Sequence, residues 1–126
     1  MTTLRFAAAA MLALAASLAQ ALEIKPYTDA ALADAQKAGK PVAVHFHAEW
    51  CPTCKQQEKS LATLKAQPGL DVTVLVADYD KEKDLRKRLK VRSQSVMVVF
   101  RGEHEKARLA GDVEVEAFRK ALQAAL

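Results

Sequence analysis

The chain has 126 residues, 51% of them hydrophobic and 27% charged, which is enough apolar material for one packed domain and leaves no room for a second. Its formal net charge of +4 is modest and argues against nucleic-acid binding as a primary role.

The first residues carry Arg5, an alanine- and leucine-rich run from Phe6 to about Ala16, and then Ala19-Gln20-Ala21. This is the pattern of a secretory signal, residues 1–21, with an A-x-A cleavage site. The apolar run is shorter than the roughly 20 residues needed to cross a bilayer, so a cleaved leader is expected rather than a retained anchor. Export would place the remaining domain, residues 22–126, in an oxidising compartment, most simply a bacterial periplasm, with no stable membrane insertion after cleavage.

Beyond the leader, Thr28 is the expected N-cap of a first helix that stops at Gly39, just before Pro41. Val42 to His47 reads as a central strand, apolar on both alternating faces. A second helix is expected from Pro52, a residue tolerated in the first turn, to about Ala66, ahead of Pro68-Gly69. Val72 to Ala77 predicts a buried strand, and Glu82 to Lys90 a charged helix with Leu85 and Leu89 as its inner stripe. Val96 to Phe100 predicts a third buried strand, turning through Arg101-Gly102-Glu103 into a weaker one from Glu105 to Leu109. A last helix is expected to begin at Gly111-Asp112, with Val115, Phe118, Ala121, Leu122 and Ala125 at helical spacing. Alternating helices and strands followed by a hairpin describe an α/β fold, a mixed sheet of four to five strands covered on both faces.

The only two cysteines lie in Trp50-Cys51-Pro52-Thr53-Cys54-Lys55, where the central strand gives way to the second helix. A sulfur at a helix N-terminus meets unpaired N–H groups and the positive end of the helix dipole, which favour thiolate over thiol. A second thiol one turn further on can displace a mixed disulfide and close an internal one. Two other readings stand beside thiol exchange. The pair could be half of a copper or zinc site completed by His45, His47 or His104, or a structural staple, although so short a loop gains little from chain entropy.

Val44-His45-Phe46-His47-Ala48-Glu49-Trp50-Cys51 is similar to the strand and active-site approach of the thioredoxin superfamily, and Cys51 to Cys54 match its redox pair. The stretch from Val91 to Gly102 resembles the segment carrying the family's cis-proline loop and next strand, so the resemblance spans Leu22 to Leu126. It implies a thioredoxin fold and a monomeric thiol:disulfide oxidoreductase with a redox-active disulfide and no organic cofactor. Partners would be protein thiols or disulfides and an upstream electron donor or acceptor. Cys51 would be the attacking, more exposed thiol and Cys54 the buried resolving one.

Several positions depart from the family pattern. Ser95 stands where the cis-proline is expected, so the Gln94–Ser95 bond should be trans, since a cis bond there costs about 2.5–4 kcal/mol. By resemblance Gln94, Ser95 and Val96 would bind substrate backbone, and a Ser95→Pro change should preserve the fold; the plainer alternative is a surface turn. His45 takes the place of the family's buried acid and Val76 that of its lysine partner. His45 is then either a base for the Cys54 proton or a core histidine, and His47 a rim residue. Pro52 and the neutral Thr53 tune the pair away from a strongly oxidising potential, pointing toward reductase or isomerase support. The Cys-Pro-Thr-Cys run by itself is similar to that of thioredoxin-like reductants of cytochrome c maturation. Trp50 should pack over the active site, partly exposed. Arg86-Lys87-Arg88, Lys90 and Arg92 form either a solvated face or a docking surface for an acidic partner.

Overall fold

The computed structural model describes residues 21–126. The expected leader lies outside the described residues except for Ala21, which makes an isolated bridge to Pro68. In chain order the elements are β1 (Glu23–Pro26), α1 (Asp29–Lys37), β2 (Pro41–His47), α2 (Pro52–Lys65), β3 (Thr73–Asp78), α3 (Lys83–Leu89), β4 (Val96–Arg101), β5 (His104–Ala110) and α4 (Val115–Gln123). The strands form one sheet in the order β1-β3-β2-β4-β5, with β1, β3 and β2 parallel and β4 and β5 antiparallel. This is the thioredoxin fold, with helices on both faces of a five-stranded mixed sheet.

The central place of β2 follows from its composition. Val42, Val44 and Phe46 point to one face and pack with Leu32 of α1, Leu85 of α3, and Leu75, Val98 and Phe100 of neighbouring strands. On the other face Ala43 joins Leu61 and Leu64 of α2, Phe118 and Leu122 of α4, and Val74, Met97 and Val99 of the sheet. Each such buried Leu, Val or Phe contributes about 1.5–3 kcal/mol relative to an exposed one.

Local chemistry sets the element ends. Thr28 caps α1 as expected, its Oγ1 accepting the Ala31 N–H at 3.0 Å. Lys90 ends α3 in the left-handed region at φ 56, and its N–H returns to the carbonyls of Arg86 and Lys87. Gly102 turns β4 into β5 at φ +57, a left-handed backbone that favours glycine.

Two expectations need correction. No strand was expected before Tyr27, yet β1 pairs with β3 from Glu23↔Thr73 to Pro26↔Val76. It is a four-residue edge strand in which only Ile24 is half-buried, so no period-2 pattern marks it. The last helix starts at Val115 rather than Gly111-Asp112, because Gly111 is left-handed at φ +78 and the carbonyls of Asp112 and Val113 are taken by side chains of α2. Among the described residues no helix is long and apolar enough to cross a membrane.

Candidate active site

Cys51 and Cys54 form a disulfide at the junction of β2 and α2. Cys51 is the N-cap of α2, in extended conformation at φ −96, ψ 107, and its sulfur accepts the backbone N–H of Cys54 at 3.1 Å. Pro52 follows in the first turn, where a missing N–H costs nothing. A thiolate at Cys51 would therefore meet an aligned N–H donor and the positive end of a 14-residue helix. The Cys54 sulfur lies 3.9 Å from the Phe46 carbonyl.

The expected exposure of Cys51 is not seen in this disulfide form. Cys51 is 1% exposed and Cys54 0%, because both sulfurs turn inward against Ala48 and Tyr79. The exposed member of the motif is Trp50, at 58%, with its indole N–H donating to Asp80 at 2.7 Å. Thr53 is half-buried in the first turn of α2.

Ser95 comes to the sulfurs from across the sheet. Its Oγ lies 3.3 Å from the Cys51 sulfur and 3.5 Å from that of Cys54. Its peptide bond is trans, as expected, but its φ is +65, a left-handed conformation that costs a non-glycine residue about 1–3 kcal/mol. Three bonds hold it there: its N–H donates to the Phe46 carbonyl at 3.1 Å, and its own carbonyl accepts from Gly111 at 3.0 Å and from Gln57 Nε2 at 2.9 Å. Proline fixes φ near −65° and has no N–H for Phe46, so Ser95→Pro would have to change this local backbone.

The other two residues of the expected substrate segment divide. Val96 does not present its side chain to a partner: it is buried in the α1/α3 side of the core, and its strand is paired with β5 at Ala110. Gln94 is half-buried, and its backbone N–H and carbonyl take no intramolecular partner among the described residues. That leaves one free backbone edge beside the sulfurs.

Gln57, which carried no expectation in the sequence, organises this end of the molecule. It is fully buried on α2, its Nε2 donates to the carbonyls of both Ser95 and Asp112, and its Oε1 lies 2.7 Å from His45 Nε2. With both amide hydrogens spent on carbonyls, Oε1 can only accept, so neutral His45 carries its proton on Nε2. His45 Nδ1 is then a buried lone pair without a partner among the described residues. Burial pushes the His45 pKa below its ordinary value and the nearby His47 lowers it too, against the opposing effects of the Gln57 bond and Glu58. The signal for Gln57 was its position: Cys54, Gln57, Leu61 and Leu64 follow one helical stripe, so a polar side chain in that stripe had to be buried.

His45 makes its side-chain hydrogen bond to Gln57 rather than to Cys54. Val76 sits opposite it in the β2–β3 register. His47 is more enclosed than a rim residue, its ring nitrogens 3.6 Å from Glu58 and 3.9 Å from Glu49. His104 pairs with Arg101 at the end of β4 remote from Ser95, so it cannot join the cysteines. Among the described residues no group of three or more His, Cys, Asp or Glu side chains is arranged to hold a metal. The basic cluster is partly structural: Arg86 stacks over Tyr79 at 4.0 Å, and Arg88 lies 3.7 Å from Asp29. Tyr79, packed against the cysteines, also donates its hydroxyl to the Arg92 carbonyl at 3.1 Å, tying the loop before Ser95 to the site.

Comparison with known proteins agrees with this geometry. The family described as Thioredoxin matches residues 23–124. The chain is 35% identical to Thioredoxin-1 of Drosophila melanogaster over 72 residues, covering 57% of this chain and 67% of that protein. It is 31% identical over 105 residues to the thiol:disulfide interchange protein DsbD of Escherichia coli K12, spanning 76% of this chain but only 19% of that protein. Among solved structures it is similar to Trxlp from Edwardsiella tarda, with a TM-score of 0.74 and 37% identity over 79% of this chain and 98% of that one. A cysteine pair capping a helix, in a sheet of this order and with this family match, places the chain in the thioredoxin family as a thiol:disulfide oxidoreductase.

Proposed function

We propose that this protein is exported to the periplasm and there reduces or isomerises protein disulfides, with Cys51 as the attacking thiol and Cys54 as the resolving one. The observation that carries the assignment of roles is the N-cap geometry: the Cys51 sulfur accepts the Cys54 N–H at the start of α2, where a thiolate is best stabilised.

In the forward direction the Cys51 thiolate attacks one sulfur of a substrate disulfide. The substrate S–S bond breaks, a mixed disulfide forms on Cys51, and the other substrate sulfur leaves as a thiolate. Cys54, having lost its proton, then attacks the Cys51 sulfur, closes the internal disulfide and releases the second substrate thiolate. An upstream dithiol donor returns two electrons. The unpaired backbone groups of Gln94 supply an edge for an extended substrate segment, and the neutral Thr53 adds no charge that would make the pair a strong oxidant. The protein acts as a monomer and needs no organic cofactor.

Export rests on Arg5, the apolar run to Ala16 and Ala19-Gln20-Ala21. Reduced protein supplied with a dithiol donor should reduce insulin catalytically, and the cellular protein should fractionate with the periplasm, shortened by its leader. Failure to reduce insulin, or a full-length protein in the cytosolic fraction, would contradict the corresponding half of the proposal.

A further inference from the structure

The hydroxyl of Ser95 lies within reach of both members of the reactive pair, 3.3 Å from one sulfur and 3.5 Å from the other. It is enclosed, with Ser95 only 4% exposed, so water competes poorly for its hydrogen. The backbone that carries it is fixed on both sides, by Phe46 through the N–H and by Gln57 and Gly111 through the carbonyl. Proline, which the resemblance expected here, has no donor. Against an intact disulfide the hydroxyl gains little, because a neutral sulfur is a weak acceptor; against a thiolate the same contact is a charge-assisted hydrogen bond.

We propose that Ser95 is a catalytic residue whose hydroxyl donates a hydrogen bond to whichever of the two sulfurs bears the negative charge. In the reduced protein it donates to the Cys51 thiolate. During resolution it turns about its Cα–Cβ bond to the Cys54 sulfur as that thiol ionises, and when a donor thiolate attacks Cys51 of the oxidised protein it steadies Cys54 as the leaving group. The hydroxyl keeps its proton throughout, so no proton is transferred to or from Ser95, and the electron balance of exchange is unchanged. Gln57 is the positioning residue, holding the Ser95 carbonyl so that the hydroxyl faces the sulfurs. The other titratable groups around the pair act differently: Tyr79 packs against it from the end of β3 and spends its hydroxyl on Arg92, His45 of β2 is bonded to Gln57, and Asp80 is bonded to Trp50.

This rests on the reading that Cys51 attacks and Cys54 resolves. The test is titration of Cys51 in the reduced full-length protein, followed by thiolate ultraviolet absorbance and by alkylation rate against pH, for wild type, Ser95→Ala and Ser95→Gly. Alanine keeps the Cβ in the left-handed conformation and glycine relieves it, while both remove the donor. Both variants should raise the Cys51 pKa by about one unit, a roughly tenfold loss of thiolate at pH values below it. A merely structural role would separate the two, so a rise in Ser95→Ala absent from Ser95→Gly, or no rise in either, overturns the proposal. Insulin reduction by the same proteins reads exchange activity independently, so a failure of the hydroxyl–thiolate bond and a failure of the oxidoreductase roles give different results.

Discussion

On one face of β2, Val42, Val44 and Phe46 pack in an apolar cluster with residues of α1, α3 and the adjoining strands. On the other, Ala43 sits in an equally apolar layer, but two residues further on His45 bonds to Gln57, and Gln57 reaches Ser95 beside the sulfurs. The same strand thus packs for stability on one side and changes from packing to hydrogen bonding on the other, where it approaches the cysteines. A buried polar chain is worth its desolvation only when each member is satisfied. Here all but His45 Nδ1 are paired, and that orphan lies at the chemical end of the molecule.

The largest effect that would sharpen this contrast lies on the apolar face. Leu75→Ala should cost about 2–5 kcal/mol of unfolding free energy in denaturant melts, yet leave the exchange rate per folded molecule near that of wild type. A large rate loss in folded protein would mean that the two faces are coupled. A stability effect of similar size with a larger chemical one is expected from Gln57→Leu. It strands the His45 N–H and the Asp112 carbonyl, at about 1–3 kcal/mol for each group left unsatisfied, and frees the Ser95 carbonyl from α2. Mixed-disulfide kinetics should slow beyond what the stability loss explains; unchanged kinetics would make Gln57 a structural strut only.

The smallest effect is the pH dependence contributed by His45. Its folded pKa lies below the unfolded value of about 6.5, so on acidification the unfolded chain binds a proton first. This contribution is absent above about pH 6.5 and destabilises the protein as pH falls from there toward the folded pKa, with a slope of at most about 1.4 kcal/mol per pH unit. His45→Gln keeps an amide donor for Gln57 and should flatten that part of the profile in denaturant melts at a series of pH values. An equally steep profile in the variant would assign the slope to other groups.

What the sequence made legible was whatever local chemistry determines. The Cys-x-x-Cys pair at a strand-to-helix junction, Thr28 at its cap, Pro52 in a first turn and the apolar strands all appear where residue type alone puts them. The elements it hid depend on long-range partners. β1 is too short to show a period and exists because β3 offers an edge. Gln57 looked like one more polar residue on a charged helix, and only its place in the stripe with Cys54 and Leu61 betrayed its burial. Ser95 could be singled out as standing in the cis-proline's place, but its left-handed backbone comes from bonds to Phe46, Gln57 and Gly111 that lie far apart in the chain.

The division of labour between the two sulfurs is the central claim, and trapping tests it most directly. Reduced Cys54→Ser and Cys51→Ser proteins, each mixed with a peptide disulfide and quenched by acid, should differ: Cys54→Ser accumulates a stable mixed disulfide through Cys51, while Cys51→Ser reacts far more slowly. Equal trapping by both variants, or faster capture through Cys54, would contradict the assignment that the N-cap geometry of Cys51 supports.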